Sequence, residues 1–121
     1  MGYDDKAPIY FQIMNDIKKD IITGKLKAGS KLPSVREMAE AKRVNPNTVQ
    51  RAYQELEREG VTFTQRGMGT FVTEDTTVIN NLKWEMSKGF IIDFIANMKS
   101  LGFSETDITN VLKDYLEKGN V

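Results

Sequence analysis

The spacing of the apolar residues changes twice along this chain, and these changes limit the folds that it can adopt. As far as Gly60 the apolar residues recur every three or four positions, which is typical of helices with one buried face. VTFT and TFVT then alternate as strands do, and Gly67 and Gly69 between them suit a tight hairpin turn. From Glu74 onward the helical spacing returns. Helices, one hairpin and further helices together predict an α+β fold.

Three helices are expected before the hairpin, and residues typical of helix ends mark their limits. The first covers residues 8–23. The second begins after Ser34, since Glu37 three positions later completes a capping box. The third covers residues 45–60, because Asn is a favoured N-cap and Pro46 is tolerated at the first helical position. The short turn between the second and third helices predicts a helix-turn-helix unit.

The third helix is predicted to have two faces with different roles. At about 100° per residue, four apolar residues fall on one side and form a core face. They are Val49, Ala52, Tyr53 and Leu56. The opposite side carries five polar residues of the types Asn, Gln and Arg, which can make paired hydrogen bonds to base edges. They are Asn47, Gln50, Arg51, Gln54 and Arg58. The acids of this helix all lie in its C-terminal half, so the N-terminal half suits the approach of phosphate. A solvated face without a function is the alternative for this helix taken alone.

The charge of the chain is unevenly distributed, although its formal net charge is zero. Residues 1–73 carry 12 basic and 9 acidic residues, whereas residues 74–121 carry 5 and 8. Residues 24–51 alone carry 7 basic residues against 2 acidic ones. A local excess of positive charge is what phosphate binding requires, so the distribution favours a nucleic-acid partner.

The hairpin follows the third helix directly, and a hairpin in that position is a wing. Arg66 is expected at its tip. One interpretation of Arg66 is a solvated turn residue. The other, which the preceding helix favours, is a cation that enters the minor groove or meets the DNA backbone.

The composition argues against an enzyme, a metal site and a membrane protein. The 121 residues include no Cys and no His, so the usual thiol nucleophile, general base and transition-metal ligands are missing. We therefore expect no catalytic residue, no metal and no cofactor. No apolar run approaches the roughly 18 residues of a membrane helix, and the start MGYDDKAP lacks a signal pattern. A cytoplasmic protein without a membrane span is expected.

Two helices are predicted after the wing, so that residues 1–74 form one domain and residues 75–121 a helical tail. The first ends near Gly102 and has an apolar stripe of Ile79, Leu82, Met86, Phe90, Ile91, Phe94, Ile95, Met98 and Leu101. The second begins after Ser104 and has an apolar face of Ile108, Val111, Leu112, Tyr115 and Leu116. A hairpin of two helices cannot bury such a broad apolar surface alone. A homodimer held by these residues is the simplest expectation.

Two other functions remain open on the residues alone. Trp84, Phe90 and Phe94 would line a cavity between subunits in a sensor of a flat small-molecule effector. The competing interpretation of these residues is ordinary core packing. The second alternative is a winged helix that contacts only proteins.

Three stretches of the chain resemble the GntR family of bacterial transcription regulators. They are PIYFQIMNDIKKDIITGKLKAGSKLPSVREMA, VNPNTVQRAYQELEREG and QRGMGTFV, which together cover about residues 8–72 with the spacing intact. The resemblance implies a winged helix-turn-helix domain. The short tail resembles the YtrA-type subfamily and implies a two-helix dimerisation hairpin. The resemblance further implies a homodimer on double-stranded operator DNA, which represses a neighbouring operon that often encodes an ABC transporter.

The resemblance also implies which residues meet DNA. The matching positions are Ser34, Arg36, Pro46, Asn47, Thr48, Gln50, Arg51, Arg66 and Gly67. Ser34, Arg36 and Thr48 would contact phosphates, the first through its hydroxyl or its backbone amide, while Asn47, Gln50 and Arg51 would read bases. Many relatives have Arg where this chain has Gln50, so base preference does not carry over.

Overall fold

A computed structural model of the chain describes residues 7–119. The first residues, where no signal pattern was expected, lie outside this range. The described residues form five helices and one two-stranded antiparallel sheet, which confirms the predicted α+β class. The elements are α1 (Ile9–Ile22), α2 (Val35–Lys42), α3 (Pro46–Arg58), β1 (Thr62–Gln65), β2 (Gly69–Val72), α4 (Thr76–Ser100) and α5 (Glu105–Lys118).

Local capping explains where the helices begin. The Ser34 hydroxyl accepts a hydrogen bond from the Glu37 N–H, and the Glu37 carboxylate accepts one from the Ser34 N–H, as the capping box predicted. Ser104 and Asp107 form the same arrangement at the start of α5. At α3 the Asn45 side chain accepts from the Asn47 N–H. These bonds satisfy amide groups that have no partner inside a helix.

The core of the first part of the chain lies between α1, α2, α3 and the sheet. Its buried residues are Ile13, Met14, Ile17, Ile21, Leu32, Met38, Ala39, Val49, Ala52, Tyr53, Leu56, Val61, Val72 and Leu82. Two ion pairs fix helix ends to α1: Lys18 to Glu59 at 2.7 Å and Lys42 to Asp16 at 3.2 Å. The helix-turn-helix unit is therefore held against α1 by its apolar faces and at the C-terminal ends of both its helices.

The wing is a short hairpin that is continued by the loop before α2. Phe63 pairs with Phe71 across the sheet, and their rings stack with centroids 5.7 Å apart. Lys31 adds an isolated bridge to Phe71. Gly67 and Gly69 have φ angles of 77° and 119°, which confirms that the turn needs the freedom of glycine.

The chain separates into two compact units between Lys83 and Trp84, nine residues beyond the predicted domain boundary. The first turns of α4 belong to the first unit, because Leu82 is only 9% exposed in its core and Ile79 packs against that core. Both residues were also expected in a dimer interface; within one chain Leu82 is buried and Ile79 is half-buried.

The second unit contains the rest of α4, a turn at Gly102 and α5. Ile108 is its buried residue among those described, and Lys99 forms an ion pair with Glu105 across the turn at 3.2 Å. No helix in the described part of the chain has the length and apolar character to cross a membrane.

Candidate nucleic-acid interface

The two faces of α3 differ in burial as the sequence predicted. Its four apolar residues are buried, while Asn47, Gln50, Arg51 and Gln54 are exposed and form what we call the outer face of α3. No acid lies in the first turn of the helix. The positive end of the helix dipole is therefore not offset by a nearby carboxylate.

The acids at the C-terminal end of α3 all have partners within the protein. Glu59 pairs with Lys18, and Glu55 pairs with Arg58 at 3.4 Å. The Glu57 carboxylate accepts a hydrogen bond of 2.6 Å from the Thr64 hydroxyl of β1. Arg58, which was grouped with the polar face, thus has an acid partner, and we leave it out of the outer face.

The start of α2 lies in the capping box, which limits what Ser34 can offer a ligand. Its N–H donates to the Glu37 carboxylate at 2.9 Å, so of the two groups expected to meet a phosphate the amide already has a partner. Its hydroxyl accepts a hydrogen bond of 3.1 Å from the Glu37 N–H. Hydrogen bonds from Ser34, together with the positive charge of Lys31, lower the pKa of Glu37 and keep it charged. Arg36 follows in the first turn with its side chain exposed.

A tyrosine from the buried side of α3 connects the two helices of the motif. The Tyr53 hydroxyl donates a hydrogen bond of 2.7 Å to the carbonyl oxygen of Pro33, directly before Ser34. Burial, and then the negative charge of Glu37, raise the pKa of Tyr53 to about 12. Tyr53 therefore stays protonated and fixes the LPS loop relative to α3.

Arg51 makes a contact that the sequence analysis missed. Its guanidinium carbon lies 4.0 Å from the centroid of the Tyr10 ring, which belongs to the first turn of α1. This distance is that of a cation–π interaction. Sequence spacing carries no signal for it, because the two residues lie on different helices.

The wing tip presents a cation and an exposed apolar side chain. Arg66, Gly67 and Met68 are all exposed there. Lys31 crosses the base of the turn so closely that a Cβ on Gly69 would lie 2.6 Å from its Cε atom. The candidate interface thus includes a second cation beside the wing; in the sequence, Lys31 is one of several basic residues in the stretch 24–51 and does not stand out.

The residues expected to hold two copies together differ in exposure. Those more than a third exposed in one chain are Phe90, Ile91, Ile95, Leu101, Leu112, Tyr115 and Leu116. Met86, Phe94, Met98 and Val111 are half-buried. Ile92, which the predicted stripe omitted, is 59% exposed.

The expected ligand cavity was placed between subunits, and one chain presents two of its three residues to that surface: Trp84 and Phe90 are each 62% exposed. An open pocket of about 540 Å³ lies elsewhere, at the start of α4 between Ile22, Ile79 and Lys83. Among residues 7–119, no group of three or more His, Cys, Asp or Glu side chains could hold a metal ion.

Known proteins are similar to this chain in both sequence and fold. The profile of the family described as bacterial regulatory proteins, gntR family, matches residues 9–72. The HTH-type transcriptional repressor YtrA of Bacillus subtilis is 47% identical over 72% of this chain and 71% of its own length. The uncharacterized HTH-type transcriptional regulator YhcF of the same organism is 39% identical over 97% of both chains.

Solved structures agree with these matches. A GntR family transcriptional regulator from Listeria monocytogenes covers 93% of this chain and 98% of its own, with a TM-score of 0.83 and 43% identity. The DNA-binding domain of AraR in complex with an operator covers 60% of this chain and 88% of its own, with a TM-score of 0.55 and 29% identity. The described fold, the exposed outer face of α3 and these matches identify a DNA-binding transcriptional regulator. The chain belongs to the GntR family of bacterial regulatory proteins and is of the YtrA type.

Proposed function

We propose that this protein is a repressor that binds a two-fold operator as a homodimer, with α3 in the major groove. The observation that carries the proposal is the exposed, acid-free N-terminal half of α3, where Asn47, Gln50 and Arg51 point away from the core. Asn, Gln and Arg are the side chains that read adenine and guanine edges in the major groove.

The cations around α3 suit contacts with the DNA backbone. Arg36 at the start of α2 and Arg66 at the wing tip are exposed, and neither forms an ion pair within the described residues. The Ser34 hydroxyl and the half-buried Thr48 complete the proposed phosphate contacts. Such contacts fix the orientation of the protein on the duplex, while base contacts supply the specificity.

The second unit supports a homodimer. On α4, Phe90 and Ile92 are exposed although they lie roughly 160° apart around the helix axis. A helix that is apolar on more than one side needs more than one neighbour. A second copy of α4 and α5 would cover this surface and hold two winged helices at a fixed spacing.

The relatives support repression. YtrA of Bacillus subtilis is a repressor by its name, and the AraR domain was solved on an operator. We propose that this protein likewise blocks transcription from its operator. The regulated operon, for which the resemblance implies an ABC transporter, is part of the same proposal.

The test begins with a binding site selected from random DNA by the wild-type protein. Gln50→Ala should then weaken binding to that site by about 1–3 kcal/mol and binding to unrelated DNA far less, since a base contact is specific. Asn110→Ala, on an exposed position of α5, is the control and should bind both DNAs as the wild type does. Equal losses on the two DNAs would make Gln50 a backbone contact. If no sequence is enriched, the protein is not a sequence-specific regulator.

A further inference from the structure

We propose that Tyr10 is a positioning residue for DNA recognition, because its ring holds the guanidinium group of Arg51 in place on the outer face of α3. The inference rests on the proposed function, in which that face enters the major groove. Tyr10 itself lies on α1, is half-buried and packs against the core, so its ring is a fixed support.

The geometry leaves Arg51 both restrained and available. Its guanidinium carbon lies over the Tyr10 ring, 4.0 Å from the ring centroid. The N–H donors of a guanidinium lie at the edge of its plane and are not used by stacking. Within residues 7–119 Arg51 has no acidic partner, whereas Arg58 on the same helix is paired with Glu55.

The restraint has a consequence for binding. A free arginine side chain loses conformational entropy when it is immobilised on a ligand. An arginine that is already stacked has lost part of that freedom when the protein folds, so binding requires less ordering. Removing the ring should therefore weaken binding to the operator, and only when Arg51 is present to use it.

The chain offers variants that separate the ring from the bulk of the side chain. Tyr10→Phe keeps the aromatic face and loses only the hydroxyl. Tyr10→Leu keeps an apolar side chain against the core and loses the face. Arg51→Ala removes the group that the ring supports.

The experiment measures the affinity of wild type, both Tyr10 variants, Arg51→Ala and Tyr10→Leu/Arg51→Ala for the selected operator. We expect Tyr10→Leu to weaken binding about two- to fivefold, because part of the cost of ordering one arginine side chain would then fall on the binding step. Tyr10→Phe should bind like the wild type, and Tyr10→Leu should cause no further loss in the Arg51→Ala background. The side-chain protons of Arg51 should show an upfield ring-current shift in NMR spectra of the wild type and of Tyr10→Phe, but not of Tyr10→Leu.

Two results would overturn this inference and leave the proposed function standing. One is an equal effect of Tyr10→Leu with and without Arg51, which would mean that Tyr10 acts through the fold or touches DNA itself. The other is an unchanged affinity in Tyr10→Leu. A selection that enriches no sequence would instead overturn the proposed function, and the inference with it.

Discussion

Single side chains fix the candidate interface through contacts between residues that are far apart in the sequence. The Tyr53 hydroxyl donates to the carbonyl of Pro33, Lys31 lies against Gly69, and the Arg51 guanidinium lies over the Tyr10 ring. The capping box of Ser34 and Glu37 could be predicted, because both partners lie within one helical turn. The long-range contacts could not, since the sequence shows which residues face inward but not which of them meet.

Tyr53→Phe should destabilise the protein without changing its fold. The variant loses the hydrogen bond to Pro33 and little volume, so we expect a decrease of about 1 kcal/mol in the free energy of unfolding. Urea denaturation at neutral pH measures it. Asn110→Ala, at an exposed position on the polar side of α5, is the control and should change little.

The same variant should alter the dependence of stability on pH. The pKa of Tyr53 is raised from 10.0 to about 12 in the folded protein, so between these values the unfolded chain releases a proton that the folded one keeps. The stabilisation is complete below pH 10 and is lost as the pH rises toward 12. Wild type should therefore lose more stability than Tyr53→Phe between pH 8 and pH 11. Parallel losses would show that Tyr53 is not the group responsible.

Among the elements, the wing follows most directly from the sequence. Two β-rich stretches around QRGMG predict a hairpin, and the positive φ angles of Gly67 and Gly69 confirm it. The pairing of Lys31 with Phe71 did not follow, because a single bridge has no periodic pattern. The limits of α3 differ from the prediction at its C-terminal end, where the helix stops at Arg58 and Gly60 takes a φ of 78°.

Arg66→Ala should weaken DNA binding and reduce its dependence on salt. The proposed homodimer loses two phosphate contacts, each of which contributes about 0.9 to the slope of log affinity against log salt concentration. Titrations of the selected operator at several salt concentrations measure it. Met68→Ala at the same exposed turn removes no charge and should leave the slope unchanged. A wild-type slope in Arg66→Ala would remove the wing tip from the proposed mechanism.

At the scale of the whole molecule, the division into two units could be predicted only approximately. The apolar stripe of the long helix runs without interruption from Ile79 to Leu101, so its period does not reveal where the helix stops serving the first core. Periodicity indicates that a side chain is buried, but it does not show which residues the side chain packs against. The burial of Leu82 places the change near Lys83 and Trp84.

Leu112→Asp should convert the proposed dimer into a monomer. Leu112 is 44% exposed in one chain, so the new charge disturbs that chain little but would be buried between two copies. Asn110→Asp adds the same charge on the polar side of α5 and should leave the dimer intact. Sedimentation of both variants at micromolar concentration measures the outcome.

The Leu112→Asp monomer should bind the operator poorly, because two linked DNA-binding modules gain roughly 100-fold or more in affinity through effective concentration. Its weak binding to unrelated DNA should remain. A wild type that sediments as a monomer without DNA would contradict the proposal that α4 and α5 hold the subunits together.

The two kinds of residue on α3, those bonded within the protein and those exposed without a partner, affect how such regulators diverge after gene duplication. Its C-terminal half is committed to internal bonds through Glu55, Glu57 and Glu59. Within residues 7–119 the exposed side chains of Gln50 and Gln54 take part in none. Substitutions at these two positions should leave stability within about 0.5 kcal/mol of the parent, as is usual at an unbonded surface. Under the proposed role of α3, a duplicated copy would therefore acquire a new operator specificity through viable single substitutions while its scaffold stays unchanged.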